Sequence, residues 1–397
     1  MSSPASSRSF PGWLLLMGAL TALGPFTIDM YLPAFPAIQE NLQVSQGDVQ
    51  RTLAAYLVGL ACSQIFYGPL ADRFGRKIPL IVGLLIYIAG SLGCALAPDT
   101  GWLMVWRFVQ AMGAAAGIVI PRAVIRDHYD TQQAARALSL LMLIMGAAPI
   151  VAPLVGAQLL IVATWRAMFW TMLLLAGVLL FMVATRMRES LAPERVQSLS
   201  IANIVGNYRA LLGHRRFIAH SLAGGFGQAG MFAYIIGSPH VIMKVFEVPS
   251  EYYGFYFGAN AIALIGGAQI SGRLLRTYRP IQLQRWAQHC LLAAGLLLLA
   301  LSLSGLMTLG LLMACLIAFM GSQGFVSPNS AALALAEQGS RLGAASALMG
   351  TLQFTIGAVA GFLLSTWQSN DSLPMATTLA ACAALSWLFG RLARRET

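Results

Sequence analysis

The stretch WLLLMGALTALGPFTIDMYLPAF, residues 13–35, is uncharged along its whole length except at Asp29. With a rise of about 1.5 Å per residue, a helix of this length crosses a hydrocarbon layer of about 30 Å. An unpaired charge inside such a layer is costly, so a carboxylate kept there needs a partner or a use. The stretch therefore predicts a membrane-spanning helix with a functional acid in its interior.

Apolar stretches of similar length recur along the 397-residue chain, which is 58% hydrophobic and 10% charged. Water-soluble domains carry about 25% charged residues, so the composition indicates an all-α membrane protein. The first run is too long for the core of a cleavable signal peptide, and we expect it to be retained. We predict twelve spans, at residues 13–35, 49–71, 78–97, 102–125, 137–160, 167–185, 216–239, 252–272, 282–303, 308–328, 344–366 and 373–390.

The longest polar segment, residues 186–215, separates the first six predicted spans from the last six. We therefore expect an N-terminal six-helix bundle at residues 1–185 and a pseudo-symmetric C-terminal six-helix bundle at residues 216–397. Within the linker between them, apolar residues such as Tyr208 and Leu211 recur at helical spacing. This spacing predicts a short amphipathic helix on the inner membrane surface.

Basic residues cluster in alternate connections between the predicted spans, and the chain carries a net charge of +11. Residues 73–77, 186–188 and 273–279 are rich in arginine and lysine, whereas the alternate, outer connections hold only Arg51, Arg166 and Lys244. The positive-inside rule therefore predicts that both termini are cytoplasmic. This orientation accounts for the excess positive charge without a nucleic acid partner.

The polar residues do not form the sets that enzymes or metal sites require. The five cysteines all fall inside apolar runs at unrelated spacings, which favours packing over a disulfide framework or a metal site. No nucleophile–base pair or pair of surface carboxylates stands out, so we do not predict an enzyme. No ring of charges or filter-like repeat indicates a channel.

Asp29 is the only one of the 14 acidic residues that lies well inside a predicted span. Arg107, in the fourth span, lies at a similar depth when about 1.5 Å of rise per residue is counted from the outer ends. A carboxylate and a guanidinium at one depth can pair and reduce the cost of burying each. Either this pair is a fixed structural link, or Asp29 gains and loses a proton as Arg107 moves. Arg122, nearer the inner end of the fourth span, is expected to anchor the helix by reaching the inner surface.

Uncharged polar residues also occur within the predicted spans. Each such residue more often forms an interhelical hydrogen bond than a ligand contact. Among many methionines and phenylalanines, however, they can supply a largely apolar cavity with a few polar points. The candidate residues of a substrate cavity are Tyr31, Tyr56, Gln64, Gln110, Gln228, Tyr234, Asn260, Gln323 and Gln353.

Two further stretches have features that favour helix movement. In GPLADRFGRK (68–77), a small residue and an acid precede a basic cluster, and the acid can face the positive N-terminus of a neighbouring helix. In MGAAPIVAPLVGA (145–157), prolines remove backbone hydrogen bonds and bend the fifth span, while small residues allow close packing. The predicted helix-bending residues are Gly146, Pro149, Pro153 and Gly156.

Five stretches resemble sequences of one transporter family. GPLADRFGRK resembles the signature loop of the major facilitator superfamily, and RFVQAMGAAAG (107–117) resembles its fourth-span motif, whose arginine is tied to proton transfer. The span-five stretch is similar to the antiporter motif of drug:proton exporters, with Ala152 and Ala157 in place of two glycines. TIDMYLPAFPAI (27–38) and GAASALMGTLQFTIGAVAG (343–361) are similar to the Bcr/CflA branch.

The resemblance implies the superfamily fold and a charged latch at its inner side. The fold is twelve helices in two six-helix bundles, with a cavity between them that opens to each side in turn. The corresponding loop of the second half, GAQISGRLLRTYRP (267–280), lacks the acid, so the latch depends mainly on the first half and the start of span eleven. The implied latch residues are Gly68, Asp72, Arg73, Gly75, Arg76 and Arg126.

The resemblance also implies a function. We expect a bacterial inner-membrane exporter that exchanges protons for small, mostly apolar compounds such as chloramphenicol-like or bicyclomycin-like drugs. Asp29 and Arg107 would couple transport to protons, with no cofactor or metal. The alternative is an exporter of an endogenous metabolite, with incidental drug efflux. The expected partners are a small-molecule substrate and the lipid bilayer, and a monomer is the default because twelve spans can bury their own polar groups.

Overall fold

The computed structural model describes residues 12–192, 194, 201–367 and 369–394. Outside this part lie residues 1–11 of the predicted first bundle, 193 and 195–200 of the predicted linker, and 368 and 395–397 of the predicted second bundle. The described residues contain helices and connecting turns and no β-strand, which confirms the all-α prediction.

The first half of the chain forms six long helices. The first of them, α1, is followed by a 3₁₀ turn at Leu32–Ala34 and the short helix α2 (Phe35–Leu42), which together complete the first span. The long helices are α1 (Gly12–Asp29), α3 (Gln46–Phe74), α4 (Lys77–Leu96), α5 (Thr100–His128), α6 (Thr131–Val162) and α7 (Arg166–Arg186).

The second half follows a connecting helix, α8 (Ile201–Gly213), which lies within the predicted linker. A π-helical turn at Val241–Val245 extends the first long helix of this half. The long helices are α9 (Arg215–His240), α10 (Ser250–Leu274), α11 (Pro280–Leu303), α12 (Leu309–Leu335), α13 (Leu342–Thr366) and α14 (Leu373–Arg394).

Each predicted span corresponds to one of these helices, although several helices extend beyond the predicted limits. In the described part of the chain, ten helices are long and apolar enough to cross a membrane. The two further predicted spans, at 216–239 and 252–272, correspond to α9 and α10, which are equally long but richer in glycine and polar residues. Below, the end of the molecule that carries the loop between α3 and α4 is called the inner end, following the predicted orientation.

Polar side chains at the membrane ends start several of the helices. Asp99 accepts a hydrogen bond from the backbone N–H of Trp102 at 2.9 Å, and Asp130 accepts one from Gln133 at 2.8 Å. Such N-caps satisfy backbone groups that have no partner within the helix. Acids outside the spans therefore have ordinary structural uses, in contrast to Asp29.

The two halves meet along two pairs of helices. The second span, α3, packs along α13, and the fifth span, α6, packs along α10. Within the first half, α5 packs closely against α3 and α4. Small residues allow this packing, because a side chain at Gly113 of α5 would meet the backbone of Gly83 and Tyr87 in α4. Close backbone approach through small residues is typical of helix packing in membranes.

Replacing Gly113 by alanine is expected to destabilise the first half by about 1–3 kcal/mol, because the added methyl group would be forced against backbone that cannot rotate away. The matched control is Gly177→Ala in α7, since no neighbouring atom lies within 4 Å of a side chain at that position. Thermal unfolding in detergent checks the prediction. Equal melting temperatures for the two variants would contradict it.

Candidate functional site

Arg107 lies fully buried on α5, enclosed by aromatic rings. Its guanidinium carbon is 4.5 Å from the ring centre of Tyr31, 4.4 Å from that of Tyr56 and 5.7 Å from that of Phe169. Its Nη1 donates a hydrogen bond of 2.8 Å to Oε1 of Gln110. The negative faces of aromatic rings stabilise a desolvated cation. Arg107 is therefore held in the protein interior without a carboxylate.

Hydrogen bonds to neighbouring helices fix the groups around Arg107. The hydroxyls of Tyr31 and Thr52 are 2.9 Å apart, and the Tyr56 hydroxyl donates to the carbonyl oxygen of Gly24 at 3.5 Å. Gln110 donates from Nε2 to Ser91 Oγ at 2.8 Å. Gln110 thus connects Arg107 to α4 inside the first half. Its predicted role in the substrate cavity stays a prediction.

Asp29 ends α1 and is only 3% exposed. Within the described residues, no side chain or backbone N–H donates a hydrogen bond to its carboxyl group, and it forms no ion pair. The depth match with Arg107 is present, because Arg107 stacks on Tyr31, two residues beyond Asp29. The predicted Asp29–Arg107 ion pair is nevertheless absent from this conformation. Aromatic rings and Gln110 compensate the guanidinium instead, and the acid is left without a partner.

The segment that begins at Asp29 lies where the two halves meet. The 3₁₀ turn Leu32–Ala34 contacts α9 and α10 of the second half as well as α6 of the first. A movement of one half relative to the other would therefore change the surroundings of this carboxyl group.

The predicted cavity residues of the second half lie mostly in its interior. Gln323 is buried, and its Nε2 donates to Oε1 of Gln228 at 3.4 Å. Asn260 donates to the carbonyl oxygen of Tyr256 at 3.0 Å, while its own Oδ1 is buried without a partner. Tyr234 stacks on Phe257 with a ring separation of 5.5 Å. These contacts leave polar atoms in an otherwise apolar interior.

Two further predicted cavity residues differ in their surroundings: Gln64 lies at the junction of the halves, and Gln353 packs within the second half. Gln64 of α3 lies against Gly350 of α13, so it contacts the opposite half directly. Gln353, also on α13, lies close to Gly224 and Gly225 of α9. Whether either residue contacts a substrate stays a prediction.

Contacts near the outer end close the junction around Asp29. Gln50 of α3 donates to the carbonyl oxygen of Ile236 in α9 at 3.4 Å. Nearer the middle of the same junction, Thr351 of α13 donates to the carbonyl oxygen of Ala61 at 3.2 Å. Residues 27–35 and 232–239 are buried almost without interruption. The outer side is therefore closed in this conformation.

The predicted helix-bending residues all lie within the single helix α6. Gly156 packs against the backbone carbonyl of Met30, one residue beyond Asp29. A Cβ atom at position 146 would lie 3.3 Å from the side chain of Ile265 in α10. Pro149 and Pro153 are interior residues of this helix. The small residues thus place α6 against both the acid-bearing segment and the second half, whereas the predicted bending role stays a prediction.

Two of the predicted latch residues, Asp72 and Arg76, belong to a charged network inside the first half. Arg76 donates to Asp72 at 2.5 Å and to Asp127 at 2.9 Å. Burial by itself would lower the pKa of Arg76, but the hydrogen bonds to these two carboxylates raise it above its usual value. Arg73 and Arg126 are exposed, and among the described residues no ion pair joins Asp72 to the second half. The predicted contact with the start of span eleven is therefore not formed in this conformation.

Gly68 and Gly75 differ in what they contribute to this network. Gly75 has a φ of +84°, a backbone conformation that favours glycine, and it turns the chain between α3 and α4. Gly68 has no atom within 4 Å of a potential side chain. Gly75 is thus required by the turn, while close helix approach at Gly68 is not observed here.

Glu189, three residues beyond α7, completes the network and was not predicted from the sequence. Its carboxylate accepts hydrogen bonds from the backbone N–H of Arg76 at 2.8 Å and of Lys77 at 3.1 Å, where α4 begins. Burial would raise the pKa of Glu189, but these bonds, together with those from Leu191 and Ser190, hold it below its usual value. Only the fold brings this acid next to a loop 112 residues earlier in the chain.

Replacing Glu189 by glutamine is expected to lower the melting temperature at pH 7, because the amide is a weaker acceptor at the N-terminus of α4. The loss is about 1 kcal/mol or less, the scale of a lost N-cap. The pKa of a glutamate in an unfolded chain is about 4.3. In the folded protein, the pKa of Glu189 is lower than this value. The stabilisation is thus complete above about pH 4.3 and lost as the pH falls through the folded value.

Thermal unfolding measured from about pH 3 to about pH 7 therefore checks the role of Glu189. The control is Glu40→Gln, which replaces an exposed glutamate. The difference between wild type and Glu189→Gln should narrow at the acid end of this range. A difference that is constant with pH would rule out the charged hydrogen bonds as its cause.

Comparisons with known proteins agree with this architecture. The family profile described as Major Facilitator Superfamily matches residues 17–362. The chain is 35% identical over 376 residues to the "Uncharacterized MFS-type transporter YdgK" of Bacillus subtilis (strain 168), covering 94% of this chain and 93% of that protein. It is 30% identical over 384 residues to the "Bicyclomycin resistance protein homolog" of Haemophilus influenzae, covering 95% and 94%. It is 29% identical over 379 residues to "Multidrug resistance protein D" of Escherichia coli (strain K12), covering 94% of each.

Solved transporter structures share the fold at low sequence identity. A bacterial homologue of the human lysosomal transporter Spinster, in an inward-facing and occupied conformation, matches with a TM-score of 0.73 and 17% identity, covering 100% of this chain and 98% of that one. The D-xylose-proton symporter matches with a TM-score of 0.72 and 13% identity, covering 95% and 97%. At these identities the likeness concerns the fold alone.

Proposed function

Because this chain belongs to the Major Facilitator Superfamily, we propose that it exports small, mostly apolar organic compounds in exchange for protons. The family resemblance and the helical transporter fold predicted from the sequence are confirmed. The protein is a multi-pass protein of the bacterial inner membrane. Relatives named for bicyclomycin resistance and multidrug resistance support drug-like compounds as the exported substrates.

The observation that carries the proton-coupling proposal is the partnerless burial of Asp29 at the junction of the halves. A carboxylate in apolar surroundings favours its protonated form, and water or a cation favours its charged form. Opening the outer side would hydrate Asp29, and closing it would return the acid to the surroundings described here. The alternating conformations thus give one carboxyl group two different proton affinities.

Arg107 supports this exchange without needing to move far. Its guanidinium is held by Tyr31, Tyr56 and Gln110 beside the acid-bearing segment, while its Nε and Nη2 are buried without acceptors. These two donors are available to an ionised Asp29 in a conformation where the junction opens. In our proposal, the ion pair forms in one state of the cycle and is broken when Asp29 takes up a proton.

In the proposed cycle, the substrate enters from the inner side while the outer contacts are closed. The halves then rock, and the contacts of Gln50 with Ile236 and of Thr351 with Ala61 are lost as the outer side opens. The substrate leaves, and a proton from the outer side binds Asp29 and neutralises it for the return. Once the outer side has closed, Asp29 releases this proton to the inner side and the next substrate binds. The apolar interior, with polar points such as Gln228 and Gln323, suits compounds that are mostly apolar.

Replacing Asp29 by asparagine is expected to abolish proton-driven export, because the amide cannot carry a proton between the two sides. Everted membrane vesicles that accumulate chloramphenicol under an imposed pH gradient provide the measurement. The exposed Glu40→Gln is the control and should leave accumulation unchanged. Gradient-driven accumulation by Asp29→Asn at the wild-type rate would show that another group couples transport to protons.

Linking Ala54 to position 361 is expected to arrest the cycle with the outer side closed. A side chain at Gly361 would place its Cβ 3.8 Å from Cβ of Ala54, across the α3–α13 junction. Disulfides join Cβ atoms about 3.8 Å apart. The pair Ala54→Cys and Gly361→Cys, with exposed Cys62 and Cys290 replaced by serine, should form a disulfide on mild oxidation and lose transport.

Reduction should restore transport by the double cysteine variant, and each single cysteine variant should be insensitive to oxidation. A fully cross-linked protein that still transports at the uncross-linked rate would contradict opening of this junction during the cycle.

A further inference from the structure

Arg122 lies on α5, about four helical turns closer to the inner end than Arg107. Its Nε is buried without an acceptor, and the described residues offer its guanidinium no hydrogen bond or ion pair. The side chain as a whole is nevertheless partly exposed. An arginine cannot lose its charge inside a protein, so this cation remains uncompensated in the present conformation.

The direction of α5 argues against the predicted anchoring role of Arg122. Side chains on a helix tilt toward its N-terminus, and α5 runs from Thr100 at the outer end to His128 at the inner end. The Cα–Cβ bond of Arg122 is therefore tilted toward the middle of the molecule and away from the inner surface. Arg126, one turn further along the helix, is exposed and already supplies a charge at that surface.

The face of α5 that carries Arg122 also carries Arg107 and Ala111, since these residues are separated by near multiples of the helical repeat. Other faces of the helix are taken up by packing, with Gly113 against α4 and Gly117 against the backbone of Leu20 in α1. On the Arg122 side of α5, Ala111 packs against Gly59 of α3, and α3 in turn packs along α13 of the second half.

Asp29 cannot neutralise Arg122, because the two lie at different levels of the bundle. Helices α1 and α5 run antiparallel: the ring of Trp13 lies 4.8 Å from that of His128, and Arg107 stacks on the ring of Tyr31. This register places Asp29 beside the outer half of α5, roughly 18 Å along the axis from Arg122 at about 1.5 Å per residue. No other acidic residue lies well inside a span.

In the spans of the described chain, the interior thus contains two arginines and one acid, and of these two arginines Arg122 alone combines unused donors with partial exposure. We propose that Arg122 is a substrate-binding residue that donates hydrogen bonds to an acceptor or anionic group, so the protein selects neutral and anionic compounds over permanent cations. The planar guanidinium presents five donors and suits carboxylate, nitro and carbonyl oxygens. A permanent cation meets repulsion there and has no carboxylate nearby. This inference rests on the proposed export function and names its substrate class.

Equilibrium binding to the purified full-length protein in detergent tests this inference without requiring transport. The probes are chloramphenicol as a neutral acceptor, salicylate as an anion and tetraphenylphosphonium as a permanent cation. Wild type is compared with Arg122→Gln, which removes the charge, and with Arg122→Lys, which keeps it without the planar fork. The matched control is Arg285→Gln, an exposed arginine at the inner end of α11.

We expect wild type to bind chloramphenicol and salicylate more tightly than tetraphenylphosphonium. Arg122→Gln should weaken both acceptor probes by about tenfold or more, the scale of a lost hydrogen bond to a charged group, and should not weaken the cation. Arg122→Lys should retain salicylate better than chloramphenicol. Arg285→Gln should behave as wild type. Size-exclusion profiles and melting temperatures show whether each variant is folded, and Arg122→Lys serves as the test if Arg122→Gln is not.

Three results would overturn the inference: wild-type affinity of both acceptor probes in Arg122→Gln, equal losses for all three probes, or preferential binding of the cation by wild type. Failure of wild type to bind either acceptor probe would also overturn it. A wild type that binds the acceptor probes but shows no proton-driven accumulation in vesicles would instead refute the proposed export function. The two failures are therefore distinguishable.

Discussion

A guanidinium held between two tyrosine rings sets the electrostatics of this molecule. Arg107 is fully buried, and the rings of Tyr31 and Tyr56 lie within 4.5 Å of its charge centre. Because cation–π contacts and one bond to Gln110 compensate the charge, it does not require a permanent carboxylate partner. Asp29 is then left unpaired at the junction of the halves, where its surroundings depend on how the halves are arranged. A permanent ion pair would instead have favoured a fixed charge state.

The charged groups at the inner end, unlike Asp29, are paired. Arg76 bonds two carboxylates, and Glu189 accepts backbone N–H groups at the start of α4. These contacts all lie within the first half, so they stiffen it as a unit and leave the second half free to move against it. Charged groups at the inner end have ionic or hydrogen-bonding partners and serve the structure. Charged groups in the interior lack such partners and are suited to exchange with protons and solutes.

The junction itself combines close approach with few strong bonds. Helices α3 and α13 and helices α6 and α10 pack through small residues. Among the described residues, the hydrogen bonds across the junction join neutral side chains to backbone carbonyls. In lipid, association of helices depends mainly on packing, because the tails are as apolar as the side chains. Two halves joined in this way can separate at one end without breaking a buried ion pair.

Much of this protein was readable from its sequence, because hydrocarbon thickness imposes a minimum length on each helix and makes every interior charge conspicuous. Each span predicted from hydropathy coincides with a long helix, and ten of these helices are apolar enough to cross a membrane. The apolar periodicity of the predicted linker coincides with α8, and the single acid and the arginine at its depth were identified as a related pair. Their partners were not predictable, because depth along a helix does not specify rotation about its axis. Tertiary packing decided that Arg107 stacks on tyrosines, that Gln110 bonds to Ser91 within its own bundle, and that Glu189 reaches α4. These are contacts between residues far apart in the chain, and only the packed helices bring them together.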